Sequence, residues 1–219
     1  MNLSSRLHKT AAENGGKTAY HFLGQQKTYG ELDAAVTMFA NGLSKLGIQK
    51  GDHVALITGN SPHFLIGFYG ALRAGATVIP VNPIYTADEI SYILSNGDVK
   101  AVITLDLLLP LIEGLHNHIP SVKNFIICET GQAQGAADPE KLTSASKLIS
   151  FDKVIGLGQG LYEGPVLDED DVAVILYTSG TTGKPKGAML THRNIYSNAS
   201  DVAEYLGINS SDRVITTLP

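Results

Sequence analysis

The stretch HVALITGNSPHFLIGFYGALRAGATVIPV, from His53 to Val81, places a strand pattern on each side of a helix pattern. Its two ends, HVALITG and ATVIPV, are short apolar runs that are typical of buried strands. Between them, Ser61 and Pro62 are suited to the N-cap and the first position of an amphipathic helix. A strand, a helix and a strand in this order predict a right-handed crossover between parallel strands. The sequence therefore predicts an α/β fold with a mainly parallel sheet.

The same alternation continues on both sides of this stretch. Upstream, TAYHFLG and KTYG flank Gln25 and Gln26 and predict a β-hairpin, and the amphipathic helix that follows ends near Gly47. Downstream, Thr86 and Glu89 have the spacing of a capping box at the start of a helix. The strand patterns VKAVITL and NFIICE come next, separated by a helix that Pro110 disturbs. Strands that alternate with amphipathic helices indicate a sheet with helices on both faces.

The chain is expected to divide into three segments. Residues 1–128 are predicted to form a first α/β unit, and residues 129–165 a polar loop or linker with a short helix at FDKVIGLG. Residues 166–219 are predicted to start a second α/β unit. In that segment VAVILYTSG and GAMLTH read as the two strands of a hairpin, and RNIYSNASDVAEYLG reads as a helix with one apolar face.

Charge and composition exclude several classes of protein. The net charge is −5 and the sixteen Lys and Arg residues are scattered, which argues against a nucleic-acid partner. The single cysteine, Cys128, lies in the apolar run FIICE and indicates a buried thiol in a reducing compartment, so we expect the cytoplasm. The N-terminus lacks the pattern of a signal peptide. The most apolar window contains Arg73 and Pro80, so we expect no transmembrane segment, although peripheral membrane contact stays compatible with the sequence.

The loop in YTSGTTGKPKGAMLTH, from Tyr177 to His192, has the composition of a phosphate-binding segment. Glycines let several backbone N–H groups turn toward one anion, and neighbouring hydroxyls add further donors. The loop is not a Walker loop, because two residues rather than four separate Gly180 from Gly183, and Pro185 follows Lys184 where a Walker loop has Ser or Thr. A solvent-exposed hairpin turn is the alternative, since Gly, Thr, Lys and Pro are ordinary turn residues.

The ordered string YTSGTTGKPKG resembles the phosphate-loop signature of the adenylate-forming enzymes, the superfamily of acyl-CoA ligases, firefly luciferase and the adenylation domains of peptide synthetases. Two further blocks, TYGEL (28–32) and ALRAGATVIPVNPIYTADEISYIL (71–94), resemble upstream motifs of the same superfamily. The version NPIYTADEISYIL is most similar to fatty-acyl-CoA ligases, with ligases of the 4-coumarate type close behind. The resemblance runs from about Leu3 to Pro219 and implies the N-terminal part of the large domain of such an enzyme.

The resemblance implies a reaction in two halves. A small-molecule carboxylic acid attacks the α-phosphate of ATP to give an acyl-adenylate and pyrophosphate, and CoA then displaces AMP to give a thioester. Magnesium assists the first half by drawing charge off the phosphates. The residues that match the phosphate-contacting positions of the family are Thr178, Ser179, Gly180, Thr181, Thr182, Gly183 and Lys186. The Thr178 hydroxyl also matches a position that approaches magnesium.

The sequence contains none of the superfamily's motifs for adenine, for ribose and for the catalytic lysine, so it resembles roughly the first two-fifths of such an enzyme. We therefore expect no ligase activity from these residues alone, because most transition-state contacts are missing. Unpaired strand edges of a sheet cut in this way are expected to favour self-association. The alternatives are an adenylation domain, an aryl-CoA ligase, and a non-catalytic module that binds nucleotide or another partner.

Other candidate residues carry weaker signals. A solvated pair is favoured over a metal site for His116 and His118, and a solvated turn over a cation site for residues 168–171. For His192 a structural role is at least as well supported as a catalytic one, and Lys184 reads as a surface residue. Four tyrosines fall on predicted buried faces, where they are expected to pack in the core: Tyr20, Tyr29, Tyr69 and Tyr85.

Overall fold

The computed structural model describes residues 1–115, 119–130, 147–178 and 185–217. The strands within these ranges are β1 (Thr18–Phe22), β2 (Gln25–Thr28), β3 (His53–Ile57), β4 (Thr77–Pro80), β5 (Val99–Leu105), β6 (Asn124–Cys128), β7 (Lys147–Ser150), β8 (Val172–Thr178) and β9 (Lys186–Thr191). The α-helices are α1 (Leu3–Asn14), α2 (Tyr29–Lys45), α3 (Pro62–Arg73), α4 (Ala87–Asn96), α5 (Leu109–Leu115), α6 (Phe151–Leu157) and α7 (His192–Leu206).

Seven of the described strands form one sheet in the order β7-β6-β5-β3-β4-β8-β9. All neighbours in this sheet are parallel except β8 and β9, which form an antiparallel hairpin. The chain crosses from β3 to β4 on one side and then returns to place β5 on the other side of β3. The predicted α/β fold with a mainly parallel sheet is therefore confirmed.

Helices cover both faces of the sheet, as predicted. Along β3, Val54 and Leu56 pack in a core shared with α2, α3 and α6. The alternate residues Ala55 and Ile57 pack in a second core shared with α4 and α5. This alternation is the period-2 geometry of a strand that is buried on both sides. We call the first layer the α2 face and the second the α4 face.

The helix starts follow the capping signals in the sequence. Ser61 accepts a hydrogen bond from the Phe64 N–H at the start of α3, and Thr86 and Glu89 form the expected capping box of α4. Pro110 does not interrupt a helix, because it is the second residue of α5 and follows a 3₁₀ turn, Asp106–Leu108. A proline is tolerated in the first helical turn, where its missing N–H has no intrahelical partner.

Three local features differ from the expectations or go beyond them. The turn of the first hairpin is at Leu23 and Gly24, both with positive φ, so Gln25 and Gln26 belong to β2 rather than to the turn. Strand β7, at one edge of the sheet, was not expected at the end of the polar segment. Helix α1 was not expected either, because its apolar stripe is short, with only Leu7 and Ala11 buried.

An ion pair joins the three helices α1, α2 and α3. The Arg73 guanidinium lies 2.6 Å from the Asp33 carboxylate, and the two side chains are only 11% and 13% exposed. The same guanidinium donates to Ser4 Oγ at 2.9 Å and to Thr37 Oγ1 at 2.6 Å. Arg73, whose charge argued against a membrane span, thus has a partly buried side chain that links the three helices. Among the described residues no helix is both long and apolar enough to cross a bilayer.

The proposed boundaries at residues 128 and 165 stay a prediction. Strand β8 pairs with β4 through Val78 and Val174, so the third segment extends the sheet that the first segment begins. The Thr77 hydroxyl donates to the Val172 carbonyl at 2.9 Å and strengthens this junction. The hairpin β8–β9 is therefore attached directly to the centre of the fold.

Candidate functional site

The root of the predicted phosphate loop is the end of the β8–β9 hairpin. The ladder pairs Tyr177 with Gly187 and ends with Thr178 opposite Lys186. Directly opposed residues of an antiparallel pair place their side chains on the same face, and both of these side chains are exposed. The structure thus brings together two of the residues that the sequence predicted to contact phosphate.

The other predicted phosphate contacts lie outside the described residues: Ser179, Gly180, Thr181, Thr182 and Gly183. Lys184 also lies there. The hairpin that the sequence predicted around them is confirmed on both flanks, because β8 ends at Thr178 and β9 begins at Lys186. This geometry separates the loop from a Walker loop, which leads from a strand into a helix.

The loop leaves the sheet at the edge where the parallel strands end. Strands β4 and β8 are parallel neighbours, so the segment after β4 and the loop after β8 emerge at the same edge. The segment after β4 contains Ile84 and Tyr85, which are 80% and 36% exposed. Tyr85 is therefore not the core residue that the sequence predicted, because it lies in a surface loop rather than in β4 or α4. The carboxyl edge of an open parallel sheet is the usual place for ligands in α/β proteins.

Tyr177 attaches the hairpin root to the rest of the fold, and no sequence pattern selected it as a site residue. Its hydroxyl donates a hydrogen bond to Asn96 Oδ1 at 2.8 Å, at the end of α4. Its ring packs against the core of the α4 face. Partial burial is the main cause that raises the pKa of the Tyr177 phenol, so the hydroxyl keeps its proton and acts as the donor.

The acidic segment 168–171 is occupied by ion pairs. Arg193 contacts both oxygens of Asp170, at 2.7 and 2.8 Å, and Lys50 lies 2.6 Å from Asp171. Glu169 pairs with the Met1 ammonium group at 2.6 Å. Hydrogen bonding from Lys50 is the main cause that holds the pKa of Asp171 below its ordinary value. In the part of the chain that the structure describes, no group of three or more His, Cys, Asp or Glu side chains is arranged for a metal ion.

His192 has a structural position at the start of α7. Its side chain is buried, and its Nδ1 accepts a hydrogen bond from the Leu3 N–H at 3.3 Å. Burial is the main cause that lowers the pKa of this imidazole, which is consistent with a neutral ring that accepts at Nδ1. The contact joins α7, and through it the hairpin, to the N-terminal helix.

The remaining candidates are resolved in different ways. Tyr20, Tyr29 and Tyr69 are half-buried and pack against a small core of α1 and α2, as expected. Cys128 is fully buried, as expected. His116 and His118 lie outside the described residues.

Comparison with known proteins agrees with the family resemblance. The family described as AMP-binding enzymes matches residues 7–219. A long-chain fatty-acid CoA ligase of Bacillus subtilis is 36% identical over 219 aligned residues, which cover 93% of this chain and 39% of that protein. The long-chain fatty-acid CoA ligase FadD13 of Mycobacterium tuberculosis is 34% identical over 195 residues, covering 88% of this chain and 35% of that one.

Solved structures show the same relationship. The inhibitor-bound N-terminal domain of FACL13 from Mycobacterium tuberculosis superposes with a TM-score of 0.78 at 32% identity. The superposition covers 100% of this chain and 51% of that one. The fold is thus the fold of the N-terminal domain in adenylate-forming enzymes. The chain spans well under half the length of the two curated relatives, 39% and 35%.

Proposed function

The chain belongs to the family of AMP-binding enzymes, and we propose that it forms the phosphate-binding N-terminal part of an ATP-dependent fatty-acyl-CoA ligase. The observation that carries the proposal is the pairing of Thr178 with Lys186 at the root of the loop. A hydroxyl and an ammonium group on one face of a hairpin, on both sides of a glycine-rich turn, suit a polyphosphate. In this role Lys186 neutralises charge on ATP and on the departing pyrophosphate.

The loop residues 179–183 supply the remaining contacts in this proposal. Their backbone N–H groups and hydroxyls are expected to surround the β- and γ-phosphates, while Thr178 and Lys186 hold the two ends of the loop. Donors placed around the phosphates in this way would stabilise the charge that develops as the carboxylate attacks the α-phosphate.

Magnesium fits the site as a partner of the phosphates. The Thr178 hydroxyl is an oxygen ligand of the type that magnesium accepts, and the other ligands would come from phosphate oxygens and water. Bound in this way, the ion would draw negative charge from the phosphates during adenylation. In this role Thr178 would be one ligand among several, because magnesium commonly keeps waters and phosphate oxygens in nucleotide sites.

A fatty acid is the substrate class that we propose. The two curated relatives described above are named as long-chain fatty-acid CoA ligases. The NPIYTADEISYIL block is similar to the same group of ligases, whereas an aryl acid or a carrier-bound acyl group would require the alternatives given above. The proposal also places the protein in the cytoplasm, where a buried, reduced Cys128 is expected.

Acyl-dependent exchange of labelled pyrophosphate into ATP is the decisive test. The exchange is measured on a polypeptide in which residues 1–219 are followed by the C-terminal part of an acyl-CoA ligase. The acids supplied are fatty acids of several lengths and aryl acids. The proposal predicts exchange that requires magnesium and a fatty acid. Exchange with aryl acids alone would move the assignment to the aryl ligases. If no carboxylic acid supports exchange while the protein is folded, the ligase assignment is wrong.

A further inference from the structure

We propose that Tyr177 is a positioning residue for the phosphate loop, because it braces the β8–β9 hairpin against the end of α4. The inference rests on the proposed function, since the loop that is positioned is the one assigned to ATP. Tyr177 precedes the residues that are predicted to contact phosphate and is not one of them.

The alternation of side chains along β8 separates the brace from the ligand side. Thr178 and Lys186 share one face of the hairpin, and Tyr177 and Gly187 share the opposite face. Tyr177, one residue before the last residue of β8, therefore points toward the core of the α4 face, while Thr178 presents its hydroxyl on the other side. A movement of Tyr177 would shift Thr178 through one peptide unit.

Gly187 provides the space that the Tyr177 ring occupies. A Cβ atom at Gly187 would lie 3.2 Å from Cζ and 3.3 Å from Cε2 of Tyr177. The absence of a side chain at Gly187 therefore lets the ring lie across β9. Because the ring belongs to β8, one side chain contacts both strands of the hairpin, one residue pair before the end of the ladder.

The hydroxyl end of the same side chain reaches an element that is distant in sequence. It donates to Asn96 Oδ1 across a separation of 81 residues. It also lies 3.4 Å from the position that a Cβ at Gly97 would take. The loop root is thus attached to the C-terminal end of α4, in addition to the strand pairing of β4 with β8.

A fixed root lowers the ordering cost of binding. When Thr178 and Lys186 are already held in place, less conformational freedom is lost at these two residues when ATP binds, so the affinity is higher. Because Asn96 is exposed and the bond is between neutral groups, its loss is expected to weaken binding by roughly threefold.

The test is a double-mutant cycle measured on this chain by calorimetry with MgATP and with magnesium pyrophosphate. Tyr177→Phe and Asn96→Ala should each weaken binding roughly threefold, and the double variant should be no weaker than either single variant. Tyr162→Phe is the matched control, because the Tyr162 hydroxyl donates to the Arg73 carbonyl at 3.1 Å, away from the loop. Urea unfolding should show similar losses of stability for Tyr177→Phe and Tyr162→Phe, while only the first weakens binding. Unchanged affinity in Tyr177→Phe, or additive effects in the double variant, would overturn the inference.

Hydrogen exchange provides a second readout that does not need a ligand. The amides of residues 186–189 should exchange faster in Tyr177→Phe and in Asn96→Ala than in the unaltered chain, and Tyr162→Phe should leave them unchanged. If the unaltered chain binds neither MgATP nor magnesium pyrophosphate, that result counts against the proposed function. The hydrogen-exchange data still test whether Tyr177 holds the hairpin. Equal exchange in all variants means that Tyr177 does not hold the hairpin.

Discussion

Lys186 lies directly across the β8–β9 ladder from Thr178, as the last residue pair of the hairpin before the loop. This pairing fixes the position of the Lys186 backbone, from which the flexible side chain carries the ammonium group. The positive charge of Lys186 therefore lies at the C-terminal end of the loop, opposite the Thr178 hydroxyl at its N-terminal end.

Replacing Lys186 should weaken nucleotide binding. Removal of one ammonium contact to phosphate is expected to cost about 2 kcal/mol, or roughly thirtyfold in the dissociation constant for MgATP. Calorimetry on Lys186→Ala measures this, with Lys153→Ala in the exposed part of α6 as the control. Equal affinities of the two variants would remove Lys186 from the site.

Gly187 should not tolerate a side chain. A Cβ at this position would lie 2.6 Å from Ile175 Cγ2, so Gly187→Ala forces the hairpin to shift. Overpacking of this kind costs about 1–3 kcal/mol of unfolding free energy, measured by urea denaturation. Gly114→Ala in α5 is the control, because nothing lies within 4 Å of its Cβ position, and that variant should be neutral or slightly more stable. A neutral Gly187→Ala would contradict the close approach of β8 and β9.

Truncation of Arg73 should be strongly destabilising. Arg73→Ala removes the guanidinium from the Asp33 carboxylate, which is 13% exposed and keeps the His8 imidazole as a partner, at 2.8 Å. The expected loss is about 3 kcal/mol in the free energy of unfolding, the lower end of the range for a broken buried ion pair. Lys100→Ala removes a pair with Asp98, which is 69% exposed, and should leave stability nearly unchanged. Similar losses for the two variants would show that burial of the Arg73 pair carries no extra stability.

His192 should make stability depend on pH in a defined window. Burial lowers the pKa of His192 below its ordinary value of 6.5, so below pH 6.5 the unfolded chain binds a proton that the folded chain does not. Stability from this group is complete above pH 6.5 and is lost as the pH falls below it, by up to about 1.4 kcal/mol per pH unit. Burial lowers the pKa of His63 as well, so the unaltered protein carries both contributions.

The contribution of His192 is isolated by comparison of variants. Urea midpoints at pH 7.5 and 5.5 should differ less in His192→Asn than in the unaltered protein. His21→Asn, at an exposed position of β1, should keep the full difference. The assignment fails if His192→Asn loses as much stability between the two pH values as the unaltered protein does.

Cys128 should be inert in the folded protein. Its thiol is fully buried, and burial is the main cause that raises its pKa, so little thiolate forms and reagents have no access. Alkylation by iodoacetamide, followed by mass spectrometry, should occur only as urea unfolds the chain. A mass increase in native buffer would contradict the packing of β6 against α6.

The parts of the fold that local patterns specify were predictable. Capping residues and alternating apolar runs predicted α3, α4 and β3 because these elements carry their own start signals and bury continuous faces. Helix α1 has a capping residue, Asn2, but its apolar face is short, and strand β7 ends a polar segment, so both depend on contacts with distant parts of the chain. The strand order was also not predictable, because the pairing of β4 with β8 involves residues about a hundred positions apart.

The candidate site was also predictable only in part. The motif alone selected Thr178 and Lys186, because their chemistry suits phosphate wherever the loop lies. It could not select the Tyr177–Asn96 contact, since a tyrosine before a polar loop and an asparagine at a helix end are ordinary residues until the fold brings them together. The burial of Arg73 and of His192 also arises from packing between distant helices, which no local pattern reports.

The pairing of β4 with β8 has a consequence for biosynthesis. Strands β3 to β6 and their helices emerge from the ribosome well before residue 172, so they can associate while β8 is still being made. During that interval the edge of β4 has no neighbour, and pairing across so long a separation is slow. We therefore expect the β8–β9 hairpin to join the sheet late, and the free edge of β4 to be open to chaperones until β8 docks.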